Sequence, residues 1–79
     1  MTDQKKWLAA LGDAVRCERQ FIGISQRDLA DDSGTNRNTI LAIEQGKTNA
    51  GIATLRSVAD ALCIPLPDLI SAADRRHQR

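Results

Sequence analysis

The chain has almost no aromatic residues: Trp7 and Phe21 are the whole set. A core without aromatic bulk has to be assembled from leucine, isoleucine, valine and alanine, which suits a small bundle of helices. Long apolar runs are missing as well. None approaches the roughly 20 residues that span a bilayer, so no membrane association is expected. Residues 1–15 hold no stretch long enough for a secretory signal. The expected location is therefore cytoplasmic. Cysteine is scarce: Cys17 and Cys63 have neither C-x-x-C spacing nor a histidine at metal-ligand distance. Two distant thiols in a cytoplasmic chain predict no disulfide framework and no metal site. The one histidine, His77, stands alone in a basic tail. There is no nucleophile–base arrangement and no glycine-rich phosphate loop. The expectation is that the chain is not an enzyme and takes no cofactor.

A strong basic excess, common in nucleic-acid binders, is also lacking. Eleven Lys and Arg against ten Asp and Glu leave a net charge of +1. The balance is uneven along the chain. Lys5, Lys6, Arg16 and Arg19 face Asp3, Asp13 and Glu18 in residues 1–24. Residues 25–46 are net acidic, with Asp28, Asp31, Asp32 and Glu44 against Arg27 and Arg37, and residues 47–79 are net basic. If such a chain binds DNA, ion release contributes modestly, and specific contacts made by two copies must carry more of the affinity. With 79 residues it makes one domain, 1–79. A domain this short buries only about 60% of its unfolded surface, so association with a partner is a natural further source of stability.

What is present is a clear set of helix signals between Ser25 and Gly46. Ser25 is an N-cap candidate with Asp28 in the capping-box place. Leu29 and Ala30 supply the apolar residues of a short helix, and Gly34 the left-handed residue that ends it. Asn36 caps the next helix, Ile40 and Ile43 face inward at i, i+3, and Gly46 closes it. Arg37, Asn38, Leu41 and Gln45 are left pointing outward. Two helices joined by a three- to four-residue turn form a helix-turn-helix, whose second helix enters a DNA major groove.

The rest of the chain predicts an all-α fold of five helices, at about 4–22, 25–33, 36–45, 52–62 and 66–72. Leu8, Leu11, Val15 and Ile22 share one face of the first, with Trp7 and Ala14 beside it. Glu18 interrupts that face, so it needs a partner or must reach the rim. Cys17 falls on the exposed side. Ile52, Leu55, Val58, Ala59 and Leu62 make the buried stripe of the fourth helix. Cys63 then occupies a place where glycine is usual. Either that helix ends without a left-handed cap or it tolerates a strain of about 1 kcal/mol. Pro65 and Pro67 are compatible with the first turn of a fifth helix. Its apolar residues Leu66, Leu69 and Ile70 either meet a partner or pack onto the first helix and Trp7. The reading favoured here is a dimer interface. Residues 74–79 look like a frayed basic tail.

From Leu11 to Ile70, about three-quarters of the chain resembles a lambda-repressor-like (Cro/cI, XRE) helix-turn-helix domain. L-G-D-A-V-R at 11–16, G-I-S-Q-R-D-L-A at 23–30, S-G-T-N-R-N-T-I at 33–40, I-E-Q-G-K at 43–47 and L-R-S-V-A-D-A-L at 55–62 carry the likeness. Within that family the chain is similar to small stand-alone regulators: phage repressors, restriction–modification controller proteins and antitoxins. The resemblance implies a transcription regulator on double-stranded DNA. It implies that Gln26 meets a phosphate and that Arg37, Asn38 and Thr39 form the reading end of the recognition helix. Arginine and asparagine suit guanine and adenine respectively. Leu41 and Ala42 stand at further reading positions, where they can touch thymine methyls. Asn36, Gln45, Lys47, Thr48 and Asn49 flank the helix as phosphate contacts. Arg19 and Glu44 match a structural pair between the first helix and the end of the recognition helix. Gly51, Cys63 and Glu18 depart from the family pattern, at positions away from the reading surface.

The leading expectation is a homodimer on a (pseudo)palindromic operator. Two-fold pairing sets the second recognition helix about 34 Å along the duplex, and the second contact then gains from effective concentration. A nucleoid-associated regulator of this kind has RNA polymerase or a cognate toxin as candidate further partners. The rival expectation is an antitoxin or adaptor whose main partner is another protein, with DNA binding secondary.

Overall fold

Thr2 starts the helical structure. In the computed structural model, which describes residues 2–78, its hydroxyl accepts a hydrogen bond from the Lys5 amide at 3.2 Å. That satisfies one of the first-turn donors without a helical partner. Helix α1 runs Asp3–Ile22 and ends on Gly23. Helix α2 (Gln26–Ser33) opens with a full capping box: the Asp28 amide donates to Ser25 Oγ at 3.0 Å and the Ser25 amide to Asp28 Oδ2 at 3.5 Å. Gly34, at φ 70°, turns the chain out of it. Helix α3 (Arg37–Glu44) is capped by Asn36, whose Oδ1 accepts from the Thr39 amide at 2.8 Å. Helix α4 spans Ile52–Ala61 and α5 Leu66–His77. For α1 to α4 the observed bounds lie within a residue of those expected; Ser25, Asn36, Gln45 and Leu62 differ because they are caps, half inside the helix.

The fifth helix differs. It continues five residues past the expected end at 72, so 74–77 are helical rather than frayed, and Arg79 lies outside the described residues. Tertiary contacts hold the added turn. Trp7 Nε1 donates to Asp74 Oδ1 at 2.6 Å, and His77 Nε2 lies 2.9 Å from Asp3 Oδ1. Ala72 and Ala73 are buried, which lets α5 lie close along α1.

One core runs through the helices. Leu11, Ala14 and Val15 of α1 meet Leu29, Ile40, Ile43, Val58, Leu62 and Leu69. α1 packs on α5 and α3, and α2 on α3 and α4. The recognition-helix candidate α3 is thus braced from both sides. Three expectations are corrected here. Leu69, assigned to a dimer interface, is fully buried in the protomer's own core, because α5 turns that face onto α1. Leu66 also packs against the core, while Ile70 remains half-exposed. Ile22 and Ile52, placed on buried stripes, are 40% and 67% exposed. Both sit in terminal turns, beyond the reach of opposing side chains. Glu18 is half-buried at the rim and Cys17 exposed. No helix among the described residues is long and apolar enough to cross a membrane.

The end of α4 resolves the question posed by Cys63. It adopts φ 63°. Its amide donates to the Asp60 carbonyl at 3.0 Å and the Ile64 amide to the Ala59 carbonyl at 3.1 Å, the paired bonds of a Schellman end. The cap is made, and the strain of a β-carbon in the left-handed region is carried. Cys63→Gly should therefore stabilise the domain by about 1 kcal/mol, a rise of roughly 4–8 °C in melting temperature. A thermal melt checks this, and an unchanged or lower midpoint counts against strain at that residue.

Candidate nucleic-acid interface

The apolar spacing of α3 decides which face it hides. Ile40 and Ile43, three apart, are buried with Glu44. Arg37, Asn38 and Leu41 are consequently exposed, Thr39 and Ala42 half-exposed, and Gln45 exposed just past the end. One of these side chains is already engaged. Thr39 Oγ1 is 3.1 Å from Asn36 Oδ1, which also caps the helix. The Asn36 oxygen is spent on the cap, leaving its NH2 as donor. Arg37 and Asn38 stand free at the leading end. Beyond α3, Lys47 and Asn49 are exposed and Thr48 half-exposed on the polar segment before α4.

Behind α3 lies an ionic network. Glu44 is 4% exposed, the one charged residue buried in the core among the described residues. Arg19 meets it side-on: Nε donates to Oε2 at 2.7 Å and Nη2 to Oε1 at 3.0 Å. Arg19 Nη1 also donates to the Ile24 carbonyl at 3.0 Å. Gln26 Nε2 donates to Glu44 Oε1 at 3.2 Å. A buried carboxylate is tolerable only when its oxygens are satisfied in this way. The hydrogen bonds that Arg19 donates to Glu44 raise its guanidinium pKa above the ordinary value; burial opposes this and the opposite charge adds to it. The network ties the end of α1, the α1–α2 turn, the first residue of α2 and the last of α3 into one unit. Gln26, expected only as a phosphate contact, is part of that unit.

Sequence reasoning missed how closely α1 approaches α3. A β-carbon on Gly12 would stand 2.6 Å from the Glu44 carbonyl oxygen, and nearer still to that of Ile43. One on Gly46, itself at φ 70°, would stand 2.8 Å from Ala9 Cα. These two glycines let the backbones of α1 and the end of α3 touch. The available signal was a glycine in mid-helix, where it is unfavourable by roughly 0.5–1 kcal/mol relative to alanine unless contact demands it.

The helix-turn-helix family model matches residues 19–69, from the Arg19 anchor to the first turn of α5. Control protein C.SmaI of Serratia marcescens is 30% identical over 69 residues, covering 87% of this chain and 82% of its own. Among solved structures, the restriction-modification controller protein C.AhdI from Aeromonas hydrophila superposes with a TM-score of 0.77 at 32% identity, over 78% of this chain and 94% of that one. The clp gene regulator ClgR from Corynebacterium glutamicum gives 0.87 at 28% identity, over 91% and 77%. A likeness that takes in both the paired helices and the network bracing them places the molecule: the chain belongs to the helix-turn-helix family, of the XRE type, whose members are DNA-binding transcription regulators and not enzymes.

Proposed function

We propose that the chain controls transcription of a restriction–modification operon, binding as a homodimer to a (pseudo)palindromic operator with α3 in the major groove. The observation that carries this is the exposed leading edge of α3, Arg37 and Asn38, on a helix whose other face is buried and whose end is anchored through Glu44. A rigid helix presenting a bidentate donor and an amide is what base reading requires. In this reading Arg37 takes guanine, Asn38 takes adenine, and Leu41, Ala42 and the Thr39 methyl approach thymine methyls. Gln26, Asn36, Gln45, Lys47, Thr48 and Asn49 meet phosphates. Ile70 and the exposed edge of Leu66 face the second copy, with Leu69 supporting them from beneath. Control protein C.SmaI and controller protein C.AhdI support the operon assignment by likeness.

Selection of bound duplexes from a random pool tests this. A palindromic consensus is the expected result. Arg37→Ala should then cost roughly 1–3 kcal/mol and relax preference at one position of each half-site, whereas Lys47→Ala should weaken all sequences alike. Equal, sequence-independent losses from the two would remove Arg37 from base reading. A well-folded protein that selects no sequence would favour the rival reading, a protein partner.

A further inference from the structure

The first turn of α3 fixes the place of one proton as well as a helix end. A main-chain amide can only donate, so the Asn36 atom 2.8 Å from the Thr39 amide is the carboxamide oxygen. That oxygen can only accept, so the Thr39 hydroxyl, 3.1 Å away, is the donor of the second bond. A hydroxyl ordinarily offers one proton and two lone pairs, and serves donors and acceptors on a base edge alike. Here the proton is committed to Asn36. What Thr39 has left at the leading end of α3 is an acceptor and a methyl group. The side chain is half-exposed, between the exposed Asn38 and the buried Ile40 in sequence.

Base pairs differ in how they meet such groups. In the major groove the donors are adenine N6 and cytosine N4, whereas guanine O6 and N7 and thymine O4 accept. Thymine alone carries a methyl group there. Only an A·T pair therefore offers a donor and a methyl group together. We propose that Thr39 selects an A·T pair, with Oγ1 accepting from adenine N6 and the threonine methyl against that of thymine. Asn36 is the positioning residue that sets this polarity, by holding the hydroxyl proton. The inference rests on the DNA-binding reading of α3 and adds the direction of one hydrogen bond to it. It also gives Asn36, whose NH2 stays free for a phosphate, control over a base that it does not touch.

The test is selection of duplexes by the full chain and its variants, followed by binding to the selected duplex read by fluorescence anisotropy. Thr39→Val keeps the methyl groups and loses the hydroxyl. It should lose roughly three- to tenfold of the preference for A·T at one position of each half-site. Asn36→Gly frees the hydroxyl proton while leaving a residue that still caps a helix. It should broaden the same position to pairs presenting an acceptor, with the other positions at parental preference. Asn36→Asp keeps an acceptor for the hydroxyl and should retain the preference, while its charge weakens all sequences alike. Unsubstituted purine in place of the selected adenine lacks the amino group. It should weaken binding of the parent by the same factor and that of Thr39→Val not at all. Parental preferences in both Thr39→Val and Asn36→Gly overturn the proposal. Broadening by Thr39→Val alone, or by Asn36→Asp as much as by Asn36→Gly, overturns the role of Asn36. Failure of the parent to select any sequence overturns the DNA-binding reading together with this one. A selected consensus in which no A·T position responds to Thr39→Val overturns this one alone.

Discussion

Gly12→Ala is expected to destabilise the domain by roughly 3 kcal/mol, at the upper end of overpacking costs. The sign is opposite to the usual one. In an unobstructed helix the same change is stabilising by about 0.5–1 kcal/mol. Here the added β-carbon would meet the Ile43 and Glu44 carbonyl groups, with Glu44 C at 2.8 Å and O at 2.6 Å. These are main-chain atoms of the last turn of α3 and cannot rotate aside. Either α1 withdraws, opening the core around Leu11 and Val15, or the last turn of α3 unwinds and carries Glu44 away from Arg19. At about 4–8 °C per kcal/mol for a domain of this size, the melting temperature should fall by more than ten degrees. Sequence-specific DNA binding should weaken even where the variant remains folded, because α3 has moved. A melting midpoint at or above the parental value would show that the contact yields without cost.

Arg19→Ala should cost a comparable or larger amount, roughly 3–5 kcal/mol, because it strips the partner from a buried charge. Glu44 would keep only the Gln26 amide, at 4% exposure. The contrast within the molecule is Arg16 with Asp13, whose side chains are 43% and 50% exposed. Removing that pair should change stability by no more than about 1 kcal/mol. Replacing Arg19 and Glu44 together with methionine and leucine should restore most of the loss, since no unpaired charge then remains. Thermal melts of the single and double variants distinguish these outcomes. A single variant melting near the parent would mean that Glu44 reaches water once unpaired. The pH dependence follows from the raised guanidinium pKa of Arg19. A group raised on folding contributes fully below its unfolded value and loses the contribution only as pH rises through the folded one. For arginine that window is strongly alkaline, so the cation's share should be constant between about pH 6 and pH 8.

The four-residue signals were legible at once. Ser25 with Asp28, Asn36 with Thr39, and the glycines at 34 and 46 mark helix ends through bonds made within a turn, so the residues carry the instruction locally. Burial along a stripe was legible only where the helix lies over the core: Leu55, Val58 and Leu62 are buried but Ile52, at the first position of the same helix, is 67% exposed. The site was partly legible. The outward edge of α3 followed from the spacing of Ile40 and Ile43, and the Arg19–Glu44 pair from the family likeness. The bond from Gln26 to Glu44 had no sequence signal, since an amide at a helix start serves equally well in water, on a phosphate or on a buried carboxylate.

For this protein, residue order alone settles the number and kind of helices, where the first four begin and end, and which edge of α3 looks outward. Each depends on neighbours no more than about four residues away. Packing settles the length of α5, held by Asp74 and His77 reaching 67 and 74 residues back along the chain. It assigns Leu69 to the core instead of a partner surface. It sets the close backbone approaches at Gly12 and Gly46, and it brings Lys5 to Lys47 and Arg27 to Arg37. These relations join segments remote in sequence, and they exist only once burial of the shared core has fixed the distances between helices.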